Sequence, residues 1–147
     1  MFDTFKALLR GSAKQPDQRA QVEHAVAVLL FEMTRTETDP TDARLASARA
    51  ALVAMFGMSE ARAAEMLAAA GAPANRLTSY FDAVSLLNRH FTLERKIALV
   101  EQLWRVAYSD SELDLNEDHL ARKLSDLLYV PHVQCMLARQ QASRWSA

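Results

Sequence analysis

The chain has 147 residues, half of them apolar, with 17 basic and 18 acidic side chains and a formal net charge of −1. That length is enough for one domain with a real core, and the charge balance leaves no basic footprint for nucleic acid or an anionic membrane surface. Only three glycines and four prolines interrupt it, and no stretch alternates apolar and polar residues as a strand would, so the expected class is all-α. Cys135 is the single cysteine, which excludes an intramolecular disulfide and fits a reducing compartment. The opening Met1-Phe2-Asp3-Thr4-Phe5-Lys6 lacks the basic-then-apolar layout of a secretory signal, and no run of about 18 apolar residues is present to span a membrane. A cytoplasmic location is the expectation.

In chain order, Phe2, Phe5, Leu8 and Leu9 predict a short helix over residues 2–10, closed by Gly11 and followed by a polar linker, Ser12 to Gln15. Pro16 suits the first turn of a second helix that carries Val22, Val26, Leu29, Leu30 and Met33 to about Thr34. A third helix opens at Asp39-Pro40-Thr41-Asp42, with Asp39 as cap, and presents Leu45, Ala48, Leu52, Met55 and Phe56 before Gly57. Ser59 caps an alanine-rich fourth, Glu60 to Ala70, ended by Gly71 and Pro73. A fifth spans about Thr78 to His90, with Phe81, Val84, Leu86 and Leu87 inward, and Thr92 caps a sixth, Leu93 to Ser109, striped with Ile97, Val100, Leu103, Trp104 and Ala107. Leu120, Leu124, Leu127 and Leu128 define a seventh, broken at Val130-Pro131. The last, Pro131 to about Ala142, carries Val133, Met136 and Leu137. The expected organisation is therefore an N-terminal helix and linker (1–15), a helical domain (16–142) and a tail (143–147).

Two turns stand out. Residues 110–118 hold five carboxylates: Asp110, Glu112, Asp114, Glu117 and Asp118. A weaker copy precedes it by 75 positions, so that Glu37, Asp39, Asp42 and Leu45 align with Glu112, Asp114, Glu117 and Leu120. The pattern describes two helix–acidic turn–helix halves with further helices between them. Carboxylates at alternate positions 110, 112 and 114, with Glu117 one helical turn on, suit a loop wrapped around a hard divalent cation; oxygen-only ligation favours calcium, magnesium or manganese. An EF-hand is excluded, because counting from Asp110 the sixth position is Leu115 and the twelfth Ala121.

The alternative is a pair of capping boxes, Asp114 with Glu117 and Asp39 with Asp42, each cap contributing about 1 kcal/mol. Caps leave Asp110, Glu112 and Glu37 without a role. Two carboxylates roughly 6 Å apart repel by about 0.7 kcal/mol in water and about 3 kcal/mol at an effective dielectric near 20. Such repulsion outweighs the caps unless a cation sits among the carboxylates or their side chains splay into solvent; Arg105, Arg122 and Lys123 are near enough in sequence to neutralise part of it. Both readings stand on the residues alone.

Asp110-Ser111-Glu112-Leu113-Asp114-Leu115-Asn116-Glu117, leading into Leu120-Ala121-Arg122-Lys123-Leu124-Ser125-Asp126-Leu127-Leu128, resembles the second acidic motif of the TerB-like domain family. That family includes the tellurite-resistance protein TerB and is similar to the N-terminal domain of DjlA-type membrane co-chaperones. The resemblance extends over about residues 20–142 through Val28 to Arg35, Phe56-Gly57-Met58-Ser59-Glu60, Leu86-Leu87-Asn88 and Leu99 to Ala107. Ser111 stands where the family usually has glycine, and Arg35 where its first motif has an acidic residue. The resemblance implies an all-helical domain of seven to eight helices in two pseudo-repeated halves. It implies a non-enzymatic role in binding divalent cations at Asp110, Glu112, Asp114 and Glu117, with a weaker site at Glu37, Asp39 and Asp42. It also implies stress-linked work with a protein partner in a membrane-associated complex. The alternative is a metal-free helical adaptor for protein–protein interaction, its acidic turns serving only as caps.

Other chemistry is thinly represented. His24, His90, His119 and His132 fall in separate segments without zinc-ligand spacing. Cys135 lies on an apolar helical pattern and is expected in the core. Neither a nucleophile elbow nor a glycine-rich phosphate loop occurs. Trp145 is expected to fold back on the domain or to anchor a partner.

Overall fold

Six consecutive residues, Ala25 to Leu30, are buried on every side of one helix, which makes that helix the axis of the fold. It is α1 (Phe2–Thr34), and around it are arranged α2 (Asp42–Phe56), α3 (Glu60–Gly71), α4 (Tyr80–His90), α5 (Leu93–Tyr108), α6 (Leu115–Leu127) and α7 (His132–Trp145). The computed structural model describes residues 2–35, 40–72, 80–110 and 115–145, with side chains from Gln18 to Arg144 within those ranges. All seven elements are helices, as the composition predicts. α1 packs on α2, α3, α4 and α5; α5 in turn carries α2, α6 and, most extensively, α7. Leu29, Leu30, Met33, Leu52, Leu87, Leu99, Leu103, Trp104 and Leu124 fill the space between them.

The predicted break at Gly11 and the linker over residues 12–15 are not found, because α1 runs through both. Pro16 removes one backbone hydrogen bond, to the carbonyl four residues back, and weakens a helix without having to end it. At the other end α7 continues to Trp145, past the predicted fraying at Ser143; Ala142 is fully buried and Ser143 Oγ donates to the Gln140 carbonyl. The Trp145 side chain lies outside the described residues.

Local signals placed most boundaries correctly. Gly57 takes the left-handed conformation (φ 68°) that ends α2, its N–H bonded to the Val53 carbonyl at 2.8 Å. Ser59 and Thr92 cap α3 and α5, accepting from the N–H groups of Arg62 and Arg95. Gly71, expected to stop α3 by its freedom of φ, serves a different purpose: a Cβ there would overlap the Phe31 ring of α1. The end of α6 is a Schellman turn, with Val130 N–H on the Ser125 carbonyl and Tyr129 N–H on Asp126, both at 3.0 Å. Tyr129 occupies the left-handed position (φ 59°) that glycine usually takes.

Three predicted core residues point outward. Phe81 is exposed because Tyr80, one position earlier, takes the inward place and stacks on it at 4.5 Å. Val133 and Leu137 lie on the face of α7 opposite Cys135, Ala138 and Ala142, the small residues that bring α7 close to α5. Cys135 is buried there, as expected.

Candidate functional site

The first turn of α2 sets the site. Thr41, not Asp39, is its cap: the Thr41 hydroxyl accepts from the Arg44 N–H at 3.3 Å, and Pro40 precedes the helix instead of opening it. Arg44 lies on the buried face of α2 with Ala48, Ala51 and Leu52, and its side chain is only 4% exposed. A guanidinium so placed needs carboxylates, since an isolated buried charge is very costly.

They come from the second acidic turn. Arg44 Nε lies 2.9 Å from Asp110 Oδ2, Nη2 reaches Asp110 Oδ1 at 3.3 Å, and the same Nη2 donates to Glu117 Oε1. Asp110 directly follows Ser109, the C-cap of α5, and Glu117 is the third residue of α6. One side chain of α2 therefore ties the end of α5 to the start of α6. Burial alone would lower the Arg44 pKa, but the hydrogen bonds and charges of Asp110 and Glu117 outweigh it and hold the guanidinium above its ordinary value.

A second arginine grips the same helical turn from another side. Asp118 pairs with Arg122 at 2.8 Å within α6 and with Arg139 of α7 at 3.3 Å. Arg139 Nε also donates to the Tyr108 hydroxyl at 2.9 Å, and its guanidinium lies 5.2 Å over the Trp104 ring. The Tyr108 hydrogen bond holds Arg139 above its usual pKa, against the opposing effect of burial. Neighbouring carboxylates 117 and 118 thus fasten the start of α6 to α2 and α7 respectively.

Of the predicted ligand residues, Asp110 and Glu117 come together, around an arginine. Glu112 and Asp114 lie outside the described residues, as do Glu37 and Asp39 of the first turn. Asp42 is exposed at the first position of α2 and takes no part in the Arg44 cluster. Among the described residues no group of three or more His, Cys, Asp or Glu side chains is arranged to hold a metal ion.

Of the three basic residues expected near the turn, Arg122 does meet one of its carboxylates, Asp118, while the cation between Asp110 and Glu117 is Arg44, which was not among them. Arg105 pairs with Glu101 at 3.2 Å, Arg122 with Asp118, and Lys123 sits over the rings of Tyr80 and Phe81 at 5.6 and 5.7 Å. Arg44 had a signal of its own: it falls in the 44–48–52 repeat of α2, an apolar stripe in which an arginine must have a partner. Glu23 had the same signal, a buried carboxylate inside the most apolar part of α1, and Arg62 of α3 meets it at 3.1 Å.

With the geometry in place, comparison with known proteins gives a consistent result. A crystal structure of a protein of unknown function from Porphyromonas gingivalis superposes with a TM-score of 0.63 at 22% identity, covering 85% of this chain and 95% of that one. That likeness establishes the shared helical arrangement and nothing further. No curated protein sequence matches the chain. The family model described as tellurite resistance protein TerB matches residues 23–140, from the buried Glu23 of α1 through the Arg139 contact of α7. Covering most of the chain and both acidic turns, that match shows that the chain belongs to the TerB family.

Proposed function

We propose that this TerB-family chain is a non-enzymatic helical module whose second acidic turn is a cation-responsive joint. Arg44 is its resident counter-charge, and a divalent cation (calcium, magnesium or manganese) binds through Asp110, Glu112 and Asp114. The observation that carries this reading is Asp110, which is bridged to Arg44 yet remains 26% exposed. It can offer one oxygen to a cation, and the alternating spacing of 110, 112 and 114 in the sequence suits a hard one. Glu117, only 3% exposed, stays with Arg44, because separating a buried ion pair is costly. Capture of Asp110 then removes one of the two anchors of Arg44 and changes how α2 sits against the α5–α6 turn. The family description names tellurite resistance; the setting proposed here is a cytoplasmic, stress-linked role of that kind, exercised through a protein partner in a membrane-associated assembly. No helix among the described residues is long and apolar enough to cross a membrane, in keeping with a peripheral position in such an assembly.

Calorimetric titration of the chain with calcium, magnesium and manganese tests the proposal, alongside the Glu112→Gln variant. Saturable binding in the wild type, weakened in the variant, is expected, with a melting temperature that rises with metal concentration. Silence at millimolar concentrations of all three metals would remove the cation role. A second reading, the metal-free adaptor, is favoured by the same ion pair seen from the other side: Arg44 already occupies the space between Asp110 and Glu117. It predicts that metals leave the melting temperature unchanged and that Asp110→Asn costs the same stability with and without them.

A further inference from the structure

At the opposite end of α2 from the Arg44 cluster, a cleft of about 550 Å³ opens between α1, the C-terminus of α2 and the turn joining α4 to α5. Its walls include Arg19, Arg95, His90 and Gln18, with Phe56 and Phe91 forming part of the apolar floor, and among the described residues no carboxylate lines it. Its size falls within the range of small-molecule sites, roughly 300–1,000 Å³. Most arginines at helix junctions here are spent on acids: Arg44, Arg62, Arg105, Arg122 and Arg139 are all ion-paired. Among the described residues neither Arg19 nor Arg95 makes an ion pair.

The two guanidiniums are nevertheless held in place, and by the same residue. The Arg95 guanidinium lies over the Phe91 ring at 4.8 Å and the Phe56 ring at 5.5 Å. Arg19 Nη2 donates to the Phe56 carbonyl at 3.3 Å, at the last residue of α2. Stacking uses the faces of Arg95 and leaves its in-plane N–H edge free, and the carbonyl takes only one of the donors of Arg19. The Gln18 amide nitrogen lies 2.7 Å from His90 Nδ1 and steadies the ring at the rim. Helix packing and helix capping account for where these groups sit. They do not account for gathering two guanidiniums and an imidazole with no described carboxylate between them. Such a set, pre-ordered over an aromatic floor, fits an oxyanion through paired charge-assisted hydrogen bonds.

We propose that this cleft binds a small molecule carrying a multiply charged oxyanion, either a phosphoryl group or a polycarboxylate, with Arg19 and Arg95 as its ligands. Because it is separate from the second acidic turn, the site stands or falls independently of any cation there.

The test is calorimetric titration of the full chain at low ionic strength with sodium pyrophosphate and, separately, with citrate; the two arms distinguish phosphoryl from carboxylate recognition. Saturable binding of either anion is expected. The dissociation constant should rise at least about tenfold in Arg95→Gln and in Arg19→Gln, the loss of a charged hydrogen-bonding partner, and stay unchanged in Arg144→Gln on α7. Arg95→Lys, which keeps the charge and loses the fork, should fall between wild type and Arg95→Gln. Arg19 is exposed, so Arg19→Gln reports on the site even if substitution of Arg95 disturbs the packing of Phe56 and Phe91. Heat no greater than dilution at about 10 mM of both anions would overturn the proposal. So would binding insensitive to both glutamine variants, or binding of hexaglutamate peptide alone, which would make the cleft a peptide contact.

Discussion

At the start of α6, Glu117 is buried and bonded to an arginine from another helix; at the matching position of α2, Asp42 faces solvent. The same contrast holds just upstream, where Asp110 reaches across to Arg44 while its counterpart Arg35 only pairs with Glu32 one turn back at 3.1 Å. Both turns are acidic and both lead into a helix, so their local roles are alike. What separates them is the neighbour. The second turn faces the inward side of α2, and the residue α2 offers there is an arginine from just beyond the first turn. The two copies are thus complementary in use, one supplying the cation and the other the carboxylates.

Five substitutions break or sharpen this contrast. The largest effect is expected from Arg44→Met, which removes the arginine shared by buried Glu117 and Asp110; a loss of about 3–5 kcal/mol would be read from urea unfolding. Glu117→Gln comes next, at about 2–3 kcal/mol, since Arg44 then keeps only Asp110. Combining Arg44→Met with Glu117→Leu should recover part of the loss, and a double-mutant cycle showing simple additivity would mean the pair is not coupled. Asp110→Asn is expected to cost about 1 kcal/mol, because solvent screens this partly exposed carboxylate, and thermal melts in low and high salt would show the difference shrinking with salt. Smallest is Asp42→Asn, at roughly 0.5 kcal/mol, the loss of a favourable charge at an exposed helix start. If Asp42→Asn matched Glu117→Gln in chemical denaturation, the two turns would be equivalent and the contrast would fail.

Much of this was legible before any coordinates. The helical class, the caps Ser59 and Thr92, the stop at Gly57, the break before Pro131 and the core face of α5 all follow from residues within one or two turns of each other. The misreadings share a cause. Thr41 displaced Asp39 as cap because Thr, Asp and Asn side chains all serve in that role, and the boundary residues alone do not choose between them. Arg44 joins Ala48 and Leu52 on the buried face, where Leu45 was expected, and Leu45 is only half-buried. Val133 and Leu137 satisfied the helical period as well as Cys135, Ala138 and Ala142 did; only the close approach of α7 to α5 selects the small set.

The amino-acid order by itself determined that this chain is helical, where most of its helices begin and end, and that carboxylates gather at two of the turns, because these depend on backbone propensity and on neighbours a few residues away. Which positive group those carboxylates meet was decided only in three dimensions. Arg44 and Glu117 are 73 residues apart, and electrostatic attraction between buried groups depends on distance and dielectric, both of which the packing of α2 against α5 and α6 creates.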